Sequence, residues 1–307
     1  MKHIKEIVEK AKINEEVALA SGIDFLEENM GPLYPGELTL ICSEINSGKT
    51  ALMIQQIHRL SIDNKVPVLA VLSGKDEIAF LASMAAYYCS ILLKDVRTIL
   101  SDPLYKDVVE NYMELIQQSP IYFISRKEFL QKEGDVSEFV KEKGIKAIFV
   151  ESLPWMCLDS REKGQLAMKL KELTIDLQVA MIVEYQIRAD DEYPVYSIEK
   201  FGKNDIAVYA DNIIVLEDFL QHRLFHDDEK GNDKRGKLRV KIMKHKGILA
   251  RDKEIVLSRI HLLLRDIHNA IGIGDYNGLF AENSSIDHMR RRLDLEVEDF
   301  FNTPPPF

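Results

Sequence analysis

Short, mainly apolar runs alternate with longer amphipathic stretches along most of the chain. The apolar runs are bounded by turn residues and predict buried strands at 38–42, 68–72, 121–124, 147–150, 180–183, 213–216 and 238–243. Apolar residues at helical spacing predict helices at 3–18, 50–57, 78–93, 96–118, 136–143 and 165–178. This alternation predicts an α/β fold, with a mostly parallel sheet that helices cover on both faces.

The pattern indicates one main domain with an extension at each end. The sequence shows no internal repeat and no second nucleotide motif, so residues 21–266 are assigned to one α/β domain. Residues 1–20 are interpreted as a linker-like helix, and residues 267–307 as an extension with an acidic, flexible tail. The alternative for segment 293–307 is a docking peptide anchored by Phe307.

Composition narrows the class of protein. The chain has 307 residues, of which 46% are apolar and 29% charged, as in ordinary globular proteins. It contains no apolar run of about eighteen residues and no secretory leader, which predicts a cytoplasmic protein without a membrane span. Its three cysteines are far apart and lack metal-ligand spacing, so they are interpreted as buried thiols. The net charge of −10 argues against general coating of nucleic acid but is compatible with a local basic channel.

One stretch carries recognisable phosphate-binding chemistry. Residues 43–50 read SEINSGKT and lie between a predicted strand and a predicted helix, which a chance GKT before a surface helix does not explain. The template is G-x-x-x-x-G-K-[ST], in which backbone amides cradle phosphates, the lysine reaches the β and γ oxygens, and the hydroxyl holds Mg²⁺. A serine replaces the first glycine, but a small residue still permits the tight turn. We predict a site for ATP and Mg²⁺ formed by Ser43, Asn46, Ser47, Gly48, Lys49 and Thr50.

Four further candidates lie at or near the ends of predicted strands. Glu151 follows the strand 147–150, where a carboxylate could hold the water shell of Mg²⁺. Gln186 also follows a strand and could sense the γ-phosphate. Lys244 and Lys246 alternate with their neighbours along the last predicted strand, so both are expected to point to one face and to reach a phosphate on a neighbouring subunit. For each of the four, the alternative is a boundary residue or a solvated side chain without function.

The order of these parts resembles the C-terminal ATPase domain of DnaB-type replicative helicases, which are RecA-like ATPases. The resemblance spans about residues 21–257 and is carried, in chain order, by SGIDFLEENMGPLYPGELTLI, SEINSGKT, VLAVLSGKDE, SPIYFI, AIFVESLPWM, VEYQIR, YADNIIVL and MKHKG. It implies a RecA-like P-loop core with Glu151 in the Walker B position and Gln186 in the sensor position. It also implies that Lys244 and Lys246 occupy the family's lysine-x-arginine finger.

Several positions depart from the family's pattern. Lys75 stands where the family places the glutamate that polarises the attacking water, and a lysine cannot act as that base without a large pKa shift. Hydrolysis would then depend on Asp76, Glu77 or Glu184. Lys246 replaces an arginine and offers a point charge instead of a planar fork. The segment 188–211, which resembles the DNA-contacting loop, is richer in acid than expected.

The resemblance implies a function, and the departures leave an alternative open. The first hypothesis is an ATP-dependent helicase or translocase that acts on single-stranded DNA in replication, as a homo-oligomer such as a hexameric ring with replication partners. The second is a degenerate nucleotide-binding scaffold with little or no ATP hydrolysis, which Lys75 favours. A RecA- or KaiC-like ATPase shares the same fold and differs mainly in its DNA loops.

Overall fold

The computed structural model describes most of the chain in ten strands and eight α-helices. It describes residues 19, 21, 23–44, 47–72, 77–89, 106–131, 133–151, 160–187, 205–218, 237–249, 254–260 and 263–266. The strands are β1 (Leu38–Ser43), β2 (Val68–Leu72), β3 (Ile121–Ser125), β4 (Ala147–Val150), β5 (Ala180–Gln186), β6 (Asn212–Asp218), β7 (Lys237–His245), β8 (Ile248–Leu249), β9 (Glu254–Ile260) and β10 (Leu263–Asp266). The helices are α1 (Asp24–Met30), α2 (Lys49–Ile57), α3 (Glu77–Cys89), α4 (Lys106–Gln117), α5 (Arg126–Gln131), α6 (Glu133–Lys143), α7 (Ser160–Leu177) and α8 (Asp205–Tyr209).

The ten strands form one sheet with a parallel centre and an antiparallel end. Its order is β10-β9-β7-β6-β1-β5-β4-β2-β3, and β8 pairs with β7. The six strands from β6 to β3 run parallel, whereas β7, β8, β9 and β10 pair antiparallel. Strand β1 lies between β5 and β6 in the centre of the sheet, and all six of its residues are buried. This confirms the predicted α/β class and the mostly parallel sheet.

Helices cover both faces of this sheet because alternate strand residues are apolar on each side. On one face, α2, α3 and α4 enclose a core that includes Leu52, Phe80 and Tyr112. On the other face, α6, α7 and α8 enclose a second core with Val140, Leu170 and Ile206. The sheet thus has two hydrophobic interfaces, and α2 begins at the carboxyl edge of the parallel strands, where the phosphate motif lies.

The predicted elements agree with the structure in kind, and some differ in extent. All seven predicted strands are present, but three further strands, β8 to β10, and three short helices, α1, α5 and α8, were not predicted. Beyond its predicted end, helix α2 continues as one π-helical segment, His58–Asp63. The predicted helix 3–18, the region 90–105 and the tail 267–307 lie outside the described residues. Among the helices that the structure describes, none has both the length and the apolar character needed to span a bilayer.

The two edges of the parallel strands carry different features. The phosphate motif follows Ser43 at the carboxyl edge, whereas the hairpin between β7 and β8 lies at the amino edge, beside the first residues of β6. Strand β1 connects these edges, and its six residues span about 17 Å at the usual rise per residue. Groups on the hairpin are therefore remote from the phosphate motif of the same chain.

Candidate nucleotide-binding site

Residues 47–50 of the phosphate motif have a backbone geometry that is suited to phosphate binding. Gly48 immediately precedes α2 and has φ of 89°, a left-handed conformation that glycine adopts without strain. Lys49 and Thr50 form the first turn of α2, so their backbone amides lie at the positive end of the helix. Ser47 is buried beside them, while Asn46 lies outside the described residues. The motif is thus a turn followed by a helix amino terminus, a general anion-binding arrangement.

The side chain of Lys49 folds back over the start of the loop. Its ammonium donates to the Ser43 carbonyl at 3.1 Å, the Ser43 hydroxyl at 2.8 Å and the Glu44 carbonyl at 2.6 Å. All three acceptors are uncharged, and only 8% of Lys49 is exposed. The serine that replaces the template's first glycine therefore has a defined contact, because its hydroxyl accepts from the motif lysine.

The surroundings of Lys49 favour its association with an anion. Burial lowers the pKa of Lys49, and the nearby charge of Glu184 is the strongest influence that opposes this shift. A buried cation held by neutral oxygens has lost water without gaining a full counter-charge, so binding of a polyphosphate would compensate for the lost hydration. The residues present therefore fit a nucleotide triphosphate.

We expect Lys49→Met to stabilise the nucleotide-free protein at neutral pH. Burial lowers the pKa of Lys49 from its ordinary value of 10.5, so the unfolded chain binds this proton more tightly than the folded chain does. The free-energy cost of burying the ammonium lowers the stability in full at pH values below the lowered pKa. This cost disappears as the pH rises towards 10.5. The expected gain is about 1.5 °C in melting temperature at pH 7, which is the effect of roughly 1 kcal/mol in a chain of 307 residues.

Thermal denaturation followed by circular dichroism between pH 7 and 10.5 measures this effect. The matched control is Lys106→Met, which removes an ammonium from an exposed ion pair on α4 and should change the melting temperature little at any pH. The two carbonyl oxygens that lose the ammonium in Lys49→Met keep other donors. Ile187 donates to the Ser43 carbonyl, and the Ser43 hydroxyl donates to the Glu44 carbonyl. A lower melting temperature for Lys49→Met at pH 7 would contradict this account.

Glu151, Gln186 and Glu184 lie at or near the same edge as the phosphate motif. Glu151 follows β4 and is 4% exposed, two strands from β1, or about 10 Å at the usual strand spacing. Gln186 is the last residue of β5 and pairs directly with Ser43 at the start of the loop. Glu184, two residues earlier on β5, is 2% exposed. The predicted positions of Glu151 and Gln186 at strand ends are thus confirmed, and their catalytic roles remain predictions.

The candidate water-activating residues are only partly described. Glu77 is the first residue of α3 and is exposed, at the carboxyl side of β2. Lys75 and Asp76 lie outside the described residues. Sequence reasoning gave little weight to Glu184, whose charge acts on Lys49 from a buried position in β5. The sequence feature that could have identified Glu184 is a glutamate in the mainly apolar strand β5. Such a position is informative because an ionisable group is rarely buried without a partner.

Lys244 and Lys246 do not share one face of a strand, so that expectation was wrong. Strand β7 ends at His245, so Lys246 lies in the following turn and outside the alternation of side chains along the strand. The Lys244 ammonium donates to the carbonyls of Ala207 at 2.8 Å and Ala210 at 2.5 Å, at the end of α8. Its prediction as a finger residue is therefore not supported by its contacts, which lie within its own chain.

Lys246 lies beyond the end of β7, in the turn to β8. His245 pairs with Ile248, so Lys246 and Gly247 form a two-residue hairpin turn with φ values of 47° and 78°. The Lys246 ammonium lies 4.5 Å from the centre of the Tyr34 ring, which is cation–π distance. The side chain is exposed, so it is the member of this pair that can reach another molecule.

The segment 234–246 is rich in lysine and arginine, and part of this charge is neutralised within the fold. Arg239 and Lys241 on β7 both contact Glu217 on β6, at 3.5 Å and 2.9 Å, and Glu217 is 6% exposed. These two cations therefore bind a buried carboxylate of their own chain. Of the segment 188–211, which resembles the family's DNA-contacting loop, residues 188–204 lie outside the described residues and 205–209 form α8.

Comparisons with known proteins agree with this geometry. The sequence profile of the DnaB-like helicase C terminal domain matches residues 18–247. A solved ATPase domain aligns with a TM-score of 0.66 and 18% identity, covering 87% of this chain and 99% of that one. A structure described as a DnaB-like replicative helicase and its interactions with primase aligns with a TM-score of 0.64 and 17% identity, covering 87% and 67%. No curated protein matches the sequence significantly. Because the profile match covers most of the sequence, the chain belongs to the family of DnaB-like helicase C-terminal domains.

Proposed function

We propose that this protein is an ATP-dependent DnaB-like helicase or translocase that acts on single-stranded DNA in replication. The observation that carries the proposal is the buried Lys49 ammonium, held by neutral oxygens behind a helix amino terminus. Such a site is suited to bind the β- and γ-phosphates of ATP. Thr50 and Glu151 would hold Mg²⁺, which supplies charge neutralisation at the phosphates when it is bound.

A neighbouring subunit would complete each site through Lys246. The hairpin that carries Lys246 lies about 17 Å from the phosphate motif of the same chain, at the opposite edge of the sheet. Its exposed ammonium can therefore serve only the triphosphate of another copy. Repeated head-to-tail contacts of this kind close into a ring when the rotation between copies permits it. A ring of identical subunits is thus the assembly that we propose.

Steady-state ATP hydrolysis with and without single-stranded DNA tests the proposal. We expect a size-fractionated oligomer to hydrolyse ATP and to be stimulated severalfold by an oligonucleotide, with Lys49→Met as the inactive background. Double-stranded DNA serves as the matched control and should stimulate the reaction less. A folded oligomer whose hydrolysis does not respond to single-stranded DNA would contradict action on that substrate.

One observation favours a second function, that of a nucleotide-binding scaffold. Lys75 occupies the family's position for the water-polarising glutamate, and Glu77 is the described carboxylate nearest to it in the chain. A scaffold would bind ATP tightly and turn it over slowly, without response to DNA. In that case Lys75→Glu would raise the rate, since a positioned general base contributes about 10²–10⁴-fold. A substantial wild-type rate abolished by Glu77→Gln would exclude the scaffold.

A further inference from the structure

A buried polar network surrounds the base of the Lys246 hairpin. Asn212, the first residue of β6, is 2% exposed and lies between β1 and the hairpin. Its amide nitrogen donates to Glu37 at 3.0 Å and to Thr39 at 3.2 Å. Its carbonyl oxygen accepts from the Lys246 backbone at 3.0 Å and lies 3.1 Å from the His245 ring nitrogen. All four hydrogen-bonding positions of one side-chain amide are thus used.

The neighbouring Asp211 strengthens the same junction. Its carboxylate accepts from the backbone of Leu38 at 2.7 Å and from the Lys171 ammonium at 2.6 Å, and its carbonyl accepts from Gly247 at 3.0 Å. Residues 211 and 212 therefore connect the start of β1 on one side with both turn residues of the hairpin on the other. A hairpin fixed at its base in this way presents its tip in a defined direction.

The conformation of Lys246 itself needs such support. A non-glycine residue at positive φ is uncommon, and the favoured residues at this place in a two-residue hairpin are asparagine, aspartate and glycine. Strained backbone of this kind persists where surrounding contacts hold it, and it is concentrated at functional positions. The bond from the Lys246 backbone to Asn212 is one such contact.

We propose that Asn212 is the positioning residue for Lys246, and that it aims this lysine at the triphosphate bound by the neighbouring subunit. The inference rests on the proposed function and adds to it a residue that never touches nucleotide. Because Asn212 lies beside Thr39, about 13 Å along β1 from the start of the phosphate motif of its own chain, its effect falls on the adjacent subunit's site. Asn212 is thus expected to affect turnover and to leave nucleotide binding in its own subunit unchanged.

Asn212→Asp tests this role because it replaces the side-chain amide nitrogen, which donates to Glu37 and Thr39, by a carboxylate oxygen that can only accept. We expect kcat to fall by roughly 10- to 100-fold, which is the scale of misplacing a reacting group by about 1 Å. The KM for ATP and the affinity for a fluorescent ATP analogue should stay within about twofold of wild type, since the variant's own phosphate motif is intact. The double variant Glu37→Gln with Asn212→Asp should recover the rate, because the new amide at position 37 can donate to the new carboxylate at position 212.

Mixed assemblies separate a positioning role from a general structural one. Asn212→Asp subunits keep a working phosphate motif, so mixing them with Lys49→Met subunits, which keep a correctly held Lys246, should restore turnover. Mixing them with Lys246→Asn subunits should restore none, because neither partner offers a positioned lysine. In a Lys246→Asn background, adding Asn212→Asp should cost no further rate, since coupled residues are not additive.

The outcomes distinguish the inference from the proposed function. If Lys246→Asn is impaired while Asn212→Asp turns over ATP like wild type, the positioning role is wrong and the proposed function stands. If Lys246→Asn is as active as wild type, the contribution of a neighbouring lysine is wrong, and the inference fails with it. If Asn212→Asp does not assemble, the milder Asn212→Ser and the double variant with Glu37→Gln are measured in its place. Normal turnover in Asn212→Ser would overturn the inference. So would a double variant that does not recover turnover.

Discussion

Replacing Lys49 by methionine is expected to weaken ATP binding by roughly 100-fold, the effect of losing charge-assisted bonds to phosphate. The ammonium is buried and held by Ser43 and Glu44, so it already lies at the loop that would enclose the β- and γ-phosphates. Titration with a fluorescent ATP analogue measures the loss. Nucleotide-dependent thermal stabilisation at a fixed ATP concentration should fall with it, because a ligand raises stability only to the extent that it binds the folded chain.

The control for this result is the exposed lysine on α4. Lys106→Met removes the same charge from the surface and should bind ATP like the parent protein. If Lys49→Met binds as firmly as wild type, the phosphate site lies elsewhere, and the proposed helicase function loses its basis. Together with the expected gain in melting temperature without nucleotide, this substitution separates ligand binding from folding, since the two effects have opposite directions.

Lys246→Asn is expected to lower turnover by about 10²–10³-fold with little effect on ATP affinity. The magnitude follows from transition-state charge stabilisation by a finger residue, for which arginine contributes about 10³-fold or more and a lysine somewhat less. Asparagine suits the positive φ of 47° in this hairpin turn, so the fold should tolerate the change. Steady-state kinetics at saturating ATP measure the loss, with Lys246→Arg as the variant that keeps the charge.

Subunit mixing tests whether Lys246 acts across an interface. Lys246→Asn keeps its phosphate motif and Lys49→Met keeps its hairpin, so each lacks what the other supplies. In an equal, random mixture, about one junction in four combines an intact motif with an intact lysine, so activity should reappear where each variant alone has almost none. Failure of the mixture to regain activity, in an oligomer shown to contain both variants, would contradict action between subunits.

The parts of this fold that sequence patterns predicted are those with short-range or periodic signals. Strands β1, β2 and β4 are nearly continuous apolar runs because both of their faces are buried, and the phosphate motif depends on residues within one turn. Strands β9 and β10 were missed because polar residues interrupt their sequences and because they pair antiparallel at one end of the sheet. Helix α1 is only seven residues long and gives little periodicity.

The arrangement around the hairpin could not be read from local sequence. The expected alternation of Lys244 and Lys246 failed because β7 ends at His245 and Lys246 lies in a turn, and this turn lacks the Asn-Gly or Asp-Gly pair that normally marks a two-residue hairpin. Asn212 bonds to Glu37 across 175 positions of chain and to the Lys246 backbone across 34. Contacts at such separations depend on the order of strands in the sheet, which no short motif specifies.

If both proposals hold, the position of strand β1 determines how mutations that displace it behave genetically. Its carboxyl end leads into the phosphate motif, while its amino end contacts the residues that hold the Lys246 hairpin. A lesion that displaces this one strand would therefore damage the subunit's own active site and also the site of its neighbour. In a closed ring, each defective copy would then disable two adjacent junctions, so such an allele would behave as dominant when it is expressed beside a normal one.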